Sequence, residues 1–302
     1  MLHHIMTLDS IHDHGILYHY TKCHGAQGII TQRSIRATRS DFLNDTNEIY
    51  YILTVVQDVI GTIKEPKWRE LLTRNILEST GQIRRNKYYV AAFSTDPDSI
   101  TLWAEFGDTT GYNVGFDSSE LVPAIEHNQP VSYHGYVIYS QKKQKMILEE
   151  LLFQRIPEQL ESDFQTTMAN AVIQDEQIKD KQLDKQDEIY KDSCFRHLCQ
   201  MFQKAVGVYA LFFKQEEFAA EKEYRFVFKH KNNTQVQFRE KDGFMMPYIM
   251  IALGDQDKQL PIQSMTVAPK NHIDLAREGM ELYLQHHGYD VKVKLSRIKL
   301  RY

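Results

Sequence analysis

The sequence predicts a mixed α/β protein of the α+β class, and three observations carry that prediction. Short runs of aromatic and β-branched residues recur toward both ends of the chain, among them residues 16–20, 87–94, 111–116 and 264–267. Between them, Gln141 to about Phe213 holds one proline, Pro157, almost no glycine, and mostly Leu, Ile, Met, Gln, Glu and Lys, which is helix composition. An apolar share of 42% over 302 residues suffices for a packed core.

Taken in order, residues 15–20 read as a strand, Ala26 to Ile30 as helix and Ser34 to Thr38 as a second extended piece. From Asn47 to Leu77 apolar side chains fall at helical spacing, and Pro66 divides them into two helices. Residues 87–94 form a strand closed by Thr95-Asp96-Pro97-Asp98, after which a helix carries Leu102 and Trp103. Strands follow at 111–116 and 131–139, then the helical stretch, whose charged middle at 175–192 is either a solvated face or a mobile segment. Alternation makes a strand of 221–229, and 235–238, 248–253, 264–267 and 291–295 complete a strand-rich end. A helix over 274–287 is stopped by Gly288. The expected organisation is one elaborated domain over 1–302, with core halves at 15–140 and 214–302 around a helical insertion at 141–213.

A formal net charge of −4 gives no global pull toward nucleic acid or anionic lipid. Cys23, Cys194 and Cys199 lack C-x-x-C spacing, so neither a disulfide framework nor a zinc site is expected, and a reducing, cytoplasmic setting fits. No run approaches a membrane span and no export signal opens the chain. His3, His4, His12 and His14 are too irregularly spaced to be read as metal ligands.

His19 and Thr21 are two apart on a strand and share a face, which suits either a ribose-binding pair or a satisfied interior histidine. Ser94 and Thr95 put hydroxyls at a strand end beside Phe93, where they serve a ligand or the turn. Glu221, Glu223 and Arg225 are expected on one strand face, as cross-strand ion pairs or as a carboxylate that Arg225 keeps ionised against an electron-poor centre. Asn44, Asp45 or Thr46 caps a helix, or Asn44, Asp45 and Glu48 line a pocket, and Trp103 is either core or pocket wall. Asp41, Asp45 and Glu48 also offer acids for a metal-dependent nuclease.

The ordered set His19-Tyr20-Thr21, Leu43-Asn44-Asp45-x-x-Glu48, Phe93-Ser94, Leu102-Trp103-x-x-Phe106-Gly107, Glu221-x-Glu223-Tyr224-Arg225 and Leu295-Ser296 resembles the bacterial family labelled domain of unknown function 2971. More distantly, His-x-Thr, aromatic-Ser-Thr and Glu-x-Glu are similar to the signature of ADP-ribosyltransferases. That likeness implies a split antiparallel sheet with N-terminal helices, and NAD as co-substrate. It further implies that His19, Tyr20, Thr21, Asn44, Ser94, Thr95, Trp103 and Arg225 bind the dinucleotide, that Glu223 is the catalytic glutamate, and that Glu221 orients or deprotonates an acceptor. The implied activity is ADP-ribosyl transfer or NAD cleavage, as in bacterial toxins and phage-defence effectors. The acceptor stays open, and a non-catalytic nucleotide-binding or regulatory module is the alternative.

Overall fold

Period-two alternation builds one of the two compact units into which the chain divides, formed by Asp9–Leu43, Lys87–Val137 and Glu217–Tyr302. The computed structural model describes residues 5–11, 15–43, 48–77, 88–107, 111–180, 193–229, 235–241, 243–255, 257–269 and 273–298. The strands are β1 (Ile16–Lys22), β2 (Ser34–Arg39), β3 (Tyr88–Ser94), β4 (Gly111–Asp117), β5 (Val131–Tyr136), β6 (Glu223–Lys229), β7 (Gln237–Lys241), β8 (Phe244–Ala252), β9 (Ile262–Val267) and β10 (Val293–Leu295). They join as one mixed sheet in the order β10-β9-β4-β1-β3-β2-β8-β7, with β6 also on β3 and β5 beyond it. Only the β9–β10 pair is parallel among these. The class is therefore α+β.

The branch is at β3. One of its edges pairs along its whole length with β6, from Tyr88↔Lys229 to Ser94↔Glu223. The other edge is shared: β1 meets it at Tyr18↔Ser94, and β2 at Thr38↔Val90 and Arg39↔Tyr89. Between those two attachments β1 and β2 part, and the parting is where a side chain can stand in for a missing strand neighbour.

One face of the sheet carries the main core. Leu17, Phe93, Phe116, Tyr224, Phe226, Ile249 and Met265 are buried there. The helix Cys23–Gln32 adds Ala26, Ile29 and Ile30, Ser118–Asn128 adds Leu121 and Ile125, and Ile273–His286 adds Met280 and Leu284. The alternate positions Tyr18 and Tyr20 fall on the other face and form a smaller cluster with Leu102, Trp103 and Ala268. Gly115 permits close approach there, since a Cβ would lie 2.6 Å from Ser264 Oγ and 2.8 Å from Tyr18 Cε1.

The second unit, Met1–Leu8, Asn44–Asn86 and Ile138–Glu216, is helical. Its described helices include Glu48–Gly61, Pro66–Leu72, Gln141–Glu150, Phe164–Asp180 and Cys194–Tyr209. Ser140 and Ser193 cap two of them by accepting from the amides of Lys143 and Arg196. Phe195, Leu198, Cys199, Phe202, Ala205, Val206 and Tyr209 recur at helical spacing along one buried stripe. Buried Gln144 ties the unit together: Nε2 donates to the carbonyls of Ile138 (2.6 Å) and Lys214 (2.8 Å), and Oε1 accepts from Tyr51 Oη (2.8 Å).

Two readings of the sequence change, at the helix after β4 and at Glu221. Residues 138–216 fall together with 44–86 in one compact unit. Pro66 does divide two helices, Glu48–Gly61 and Pro66–Leu72, and starts the second at its first position, where its missing N–H costs nothing. The helix Ser118–Asn128, capped by Asp117, was not anticipated, because Pro123 inside it hides the pattern. Glu221 ends a 3-10 turn and is not on the strand: Lys222 adopts φ 45°, a left-handed turn that separates Glu221 from the face of Glu223 and Arg225. The charged segment 181–192 lies outside the described residues.

Candidate functional site

Ser94 and Glu223 stand directly opposite one another at the end of the β3–β6 ladder, so their side chains leave the same face. Arg225 is two residues on and shares that face. Its guanidinium grips Glu223 Oε2, with Nη2 at 2.6 Å and Nε at 3.1 Å. The Arg225 side chain is 3% exposed and that of Glu223 12%, so the pair is held nearly out of water.

The hydroxyls beside them clamp the backbone. Ser94 Oγ donates to the Glu221 carbonyl at 2.7 Å and accepts from the Asp96 amide at 3.0 Å. The Thr95 amide donates to the Lys222 carbonyl at 3.0 Å, and Lys222 Nζ lies 2.9 Å from Asp96 Oδ2. Burial opposes ionisation of Asp96, but the Asp98 amide and the Lys222 ammonium outweigh it and hold the carboxyl below its usual range. Glu221 itself is buried.

Tyr20, on β1, and Trp103 both bond to the loop that follows Thr95. Tyr20 Oη donates to the Asp96 carbonyl at 2.7 Å and accepts from the Ser99 amide at 3.0 Å, and burial pushes its phenol up to about 12. The Tyr20 and Trp103 rings meet edge to face, 4.6 Å apart. Trp103 is buried, and its Nε1 donates to Asp98 Oδ1 at 2.7 Å. Asp98 also accepts from Ser296 Oγ and from the Arg297 amide, each at 2.7 Å. Trp103 and Ser296 thus share one acceptor. Asp98 was read in the sequence only as a turn residue, and the signal for more was the appearance of Trp103 and Ser296 in one motif set.

His19 sits where β1 leaves β3. Its Nδ1 is 3.0 Å from the Ala92 carbonyl and its ring centre 5.5 Å from that of Phe93. A carbonyl only accepts, so Nδ1 carries the proton and Nε2 is left as an acceptor. Burial, with Arg239 adding to it and the Ala92 bond opposing, lowers its pKa and keeps the ring neutral. Strand alternation puts His19 with Leu17 and Phe93 on the core side, whereas Tyr18, paired with Ser94, leaves the other side. Thr21 follows His19, its Oγ1 so near Gly25 that a Cβ there would lie 2.0 Å away.

The structure therefore brings Ser94, Glu223 and Arg225 onto one face, sets Thr95 and the backbone of Glu221 against them, and stacks Tyr20 and Trp103 beneath the loop. It does not turn His19 or Thr21 toward that carboxylate: they are directed to the opposite face of the sheet. Asn44, Asp45 and the histidines at 3, 4, 12 and 14 lie outside the described residues. Asp41 is held by Arg39 at 2.6 Å, and among the described residues no group of three His, Cys, Asp or Glu side chains could hold a metal ion. No described helix is long and apolar enough to cross a membrane. The helical unit has its own hollow of about 610 Å³, lined by Trp68, Phe153, Asp163 and Phe164 among others, which contains none of the residues singled out from the sequence.

No curated protein and no solved structure matches the chain. Residues 102–226, a stretch that takes in Trp103, Glu221, Glu223, Tyr224 and Arg225, match the family model described as Protein of unknown function (DUF2971).

Proposed function

We propose that the chain cleaves the bond between nicotinamide and ribose in NAD, transferring the ADP-ribosyl group to an acceptor or to water, with Glu223 as the catalytic carboxylate. The observation that carries this reading is the Glu223–Arg225 pair, 2.6 Å apart and facing Ser94 across the ladder. Breaking the glycosidic bond sends its electron pair to nicotinamide and leaves positive charge on the ribose carbon. A carboxylate held in place by a buried guanidinium lowers that barrier, because no reorganisation is needed as the charge develops. The acceptor oxygen or nitrogen then bonds to the carbon and gives up a proton. The parting of β1 and β2 along β3 supports a split sheet of the ADP-ribosyltransferase kind.

In this reading His19 is a positioning residue, holding the Ala92 carbonyl where β3 lacks a strand partner. Glu221, being buried, supports the Ser94 turn through its backbone. A second reading is favoured by a specific observation: with His19 directed away from Glu223 and Ser94 Oγ engaged with backbone, the chain binds a nucleotide without turning it over.

Nicotinamide release from NAD separates the two. Cleavage predicts release by the native chain and a fall of about 10²–10³-fold in Glu223→Gln, the usual scale for one preorganised electrostatic group, with NAD binding retained. Saturable NAD binding with no release by the native chain refutes cleavage and leaves the binding module.

A further inference from the structure

The outer face of β2, β8 and β7 carries two guanidinium groups that have no counter-ion among the described residues. In register, Thr38 and Gln237 both lie opposite Tyr248, Arg36 opposite Met250 and Arg239 opposite Met246, so alternation puts Arg36, Thr38, Tyr248, Gln237 and Arg239 on one face. This is the face turned away from Ile35, Ala37, Ile249 and Ile251, which are in the core. Arg36 is exposed and its guanidinium carbon lies 5.1 Å from the centre of the Tyr248 ring, a stacking arrangement that leaves its N–H edge outward. Tyr248 is fixed beneath it by donating from Oη to Gln237 Oε1 at 2.9 Å.

Arg239 is half-buried. Nη2 donates to Thr38 Oγ1 at 3.3 Å, while Nε is buried and has no hydrogen-bond partner among the described residues. Desolvation and then the neighbouring charge of Arg36 lower the proton affinity of Arg239, so the two cations feel each other. The same guanidinium is near enough to His19 to lower its pKa. A surface without a ligand gains nothing by burying a guanidinium beside a second one and leaving its Nε unpaired. An anion with several acceptor oxygens, set against the outward edges of the two groups, would offset both charges.

We propose that Arg36, Thr38 and Arg239 form a site for a phosphate or diphosphate group. The guanidinium forks supply paired donors that match phosphate oxygens, the Thr38 hydroxyl supplies one more, and Tyr248 sets the stance of Arg36. The site lies on different strands from Glu223 and stands whether or not that carboxylate reacts.

The test is calorimetric titration of the full chain with inorganic phosphate, pyrophosphate and ADP at low salt, with Arg36→Gln and Arg239→Gln alongside. Saturable binding of at least one of the three, weakened about tenfold or more by each substitution and eased by salt, is expected for paired charge-assisted contacts. A preference for ADP over both inorganic ions marks a nucleotide as the source of the group, and equal or tighter binding of an inorganic ion marks free phosphate or diphosphate. Arg36 is exposed, so Arg36→Glu keeps the experiment decisive should the Arg239 variant fail to fold; it must abolish binding. No saturable binding by any of the three, or binding unchanged in Arg36→Glu, overturns the proposal.

Discussion

Replacing Asp98 with alanine removes the acceptor of three hydrogen bonds, from Trp103 Nε1, Ser296 Oγ and the Arg297 amide, each 2.7 Å long. The indole N–H is buried and has no water to turn to, so its loss carries the cost of an unmade bond to a charged group, about 1.5 kcal/mol at the lower end. Ser296 is half-buried and Arg297 exposed, so their donors recover solvent and lose about 0.5–1 kcal/mol apiece. The sum is about 3 kcal/mol, or about 6–12 °C in Tm for a chain of this size. The chain has two compact units and two tryptophans, Trp68 in the helical one and Trp103 in the sheet. Urea unfolding followed by fluorescence in a Trp68→Phe background therefore reports on the sheet unit. Hydrogen exchange at the Arg297 amide should also quicken in Asp98→Ala, because that amide loses its acceptor. A loss below about 1 kcal/mol with unaltered exchange at Arg297 would refute the assignment of Asp98 as the fastener of the 296–298 segment.

Two further outcomes can be checked by denaturation. Gln144→Leu removes three hydrogen bonds, two to the Ile138 and Lys214 carbonyls and one from the Tyr51 hydroxyl, so the helical unit should lose about 2–4 kcal/mol by urea unfolding, and an unchanged midpoint would show that water replaces the amide. His19 and His134 are both held below the usual imidazole range, first by burial, with Glu126 partly offsetting it at His134. The unfolded chain then binds protons more readily in acid, so this stability is complete above about pH 6.5 and is lost as pH falls through the lowered folded values. The urea midpoint should drop between about pH 7.5 and about pH 5.5 and drop less in His19→Asn; a midpoint that rises on acidification contradicts the burial argument.

The legible part of the candidate site was local. Arg225 with Glu223 could be read from spacing, because two positions on a strand share a side whatever the strand packs against. Reading Glu221 into the same row failed on one residue: Lys222 takes a left-handed conformation that nothing in Glu-Lys-Glu announces. His19 and Thr21 were correctly placed on one face of β1, but which face meets Ser94 is a question of register between strands more than seventy residues apart, answered by Tyr18↔Ser94. Arg36 and Arg239 passed unnoticed because each is an ordinary surface cation in its own strand, and only the β2–β8–β7 ladder sets them side by side.

By itself the sequence determined the α+β class, most strand and helix positions, and the pairing of Glu223 with Arg225, since periodicity, turn residues and i, i+2 geometry act over a few residues. Tertiary structure decided that residues 44–86 and 138–216 share one helical unit, that β1 and β2 both attach to one edge of β3, and that His19 and Glu223 leave opposite faces. Those outcomes depend on register, and register is set by the summed burial of side chains distant in the chain, which no local window contains.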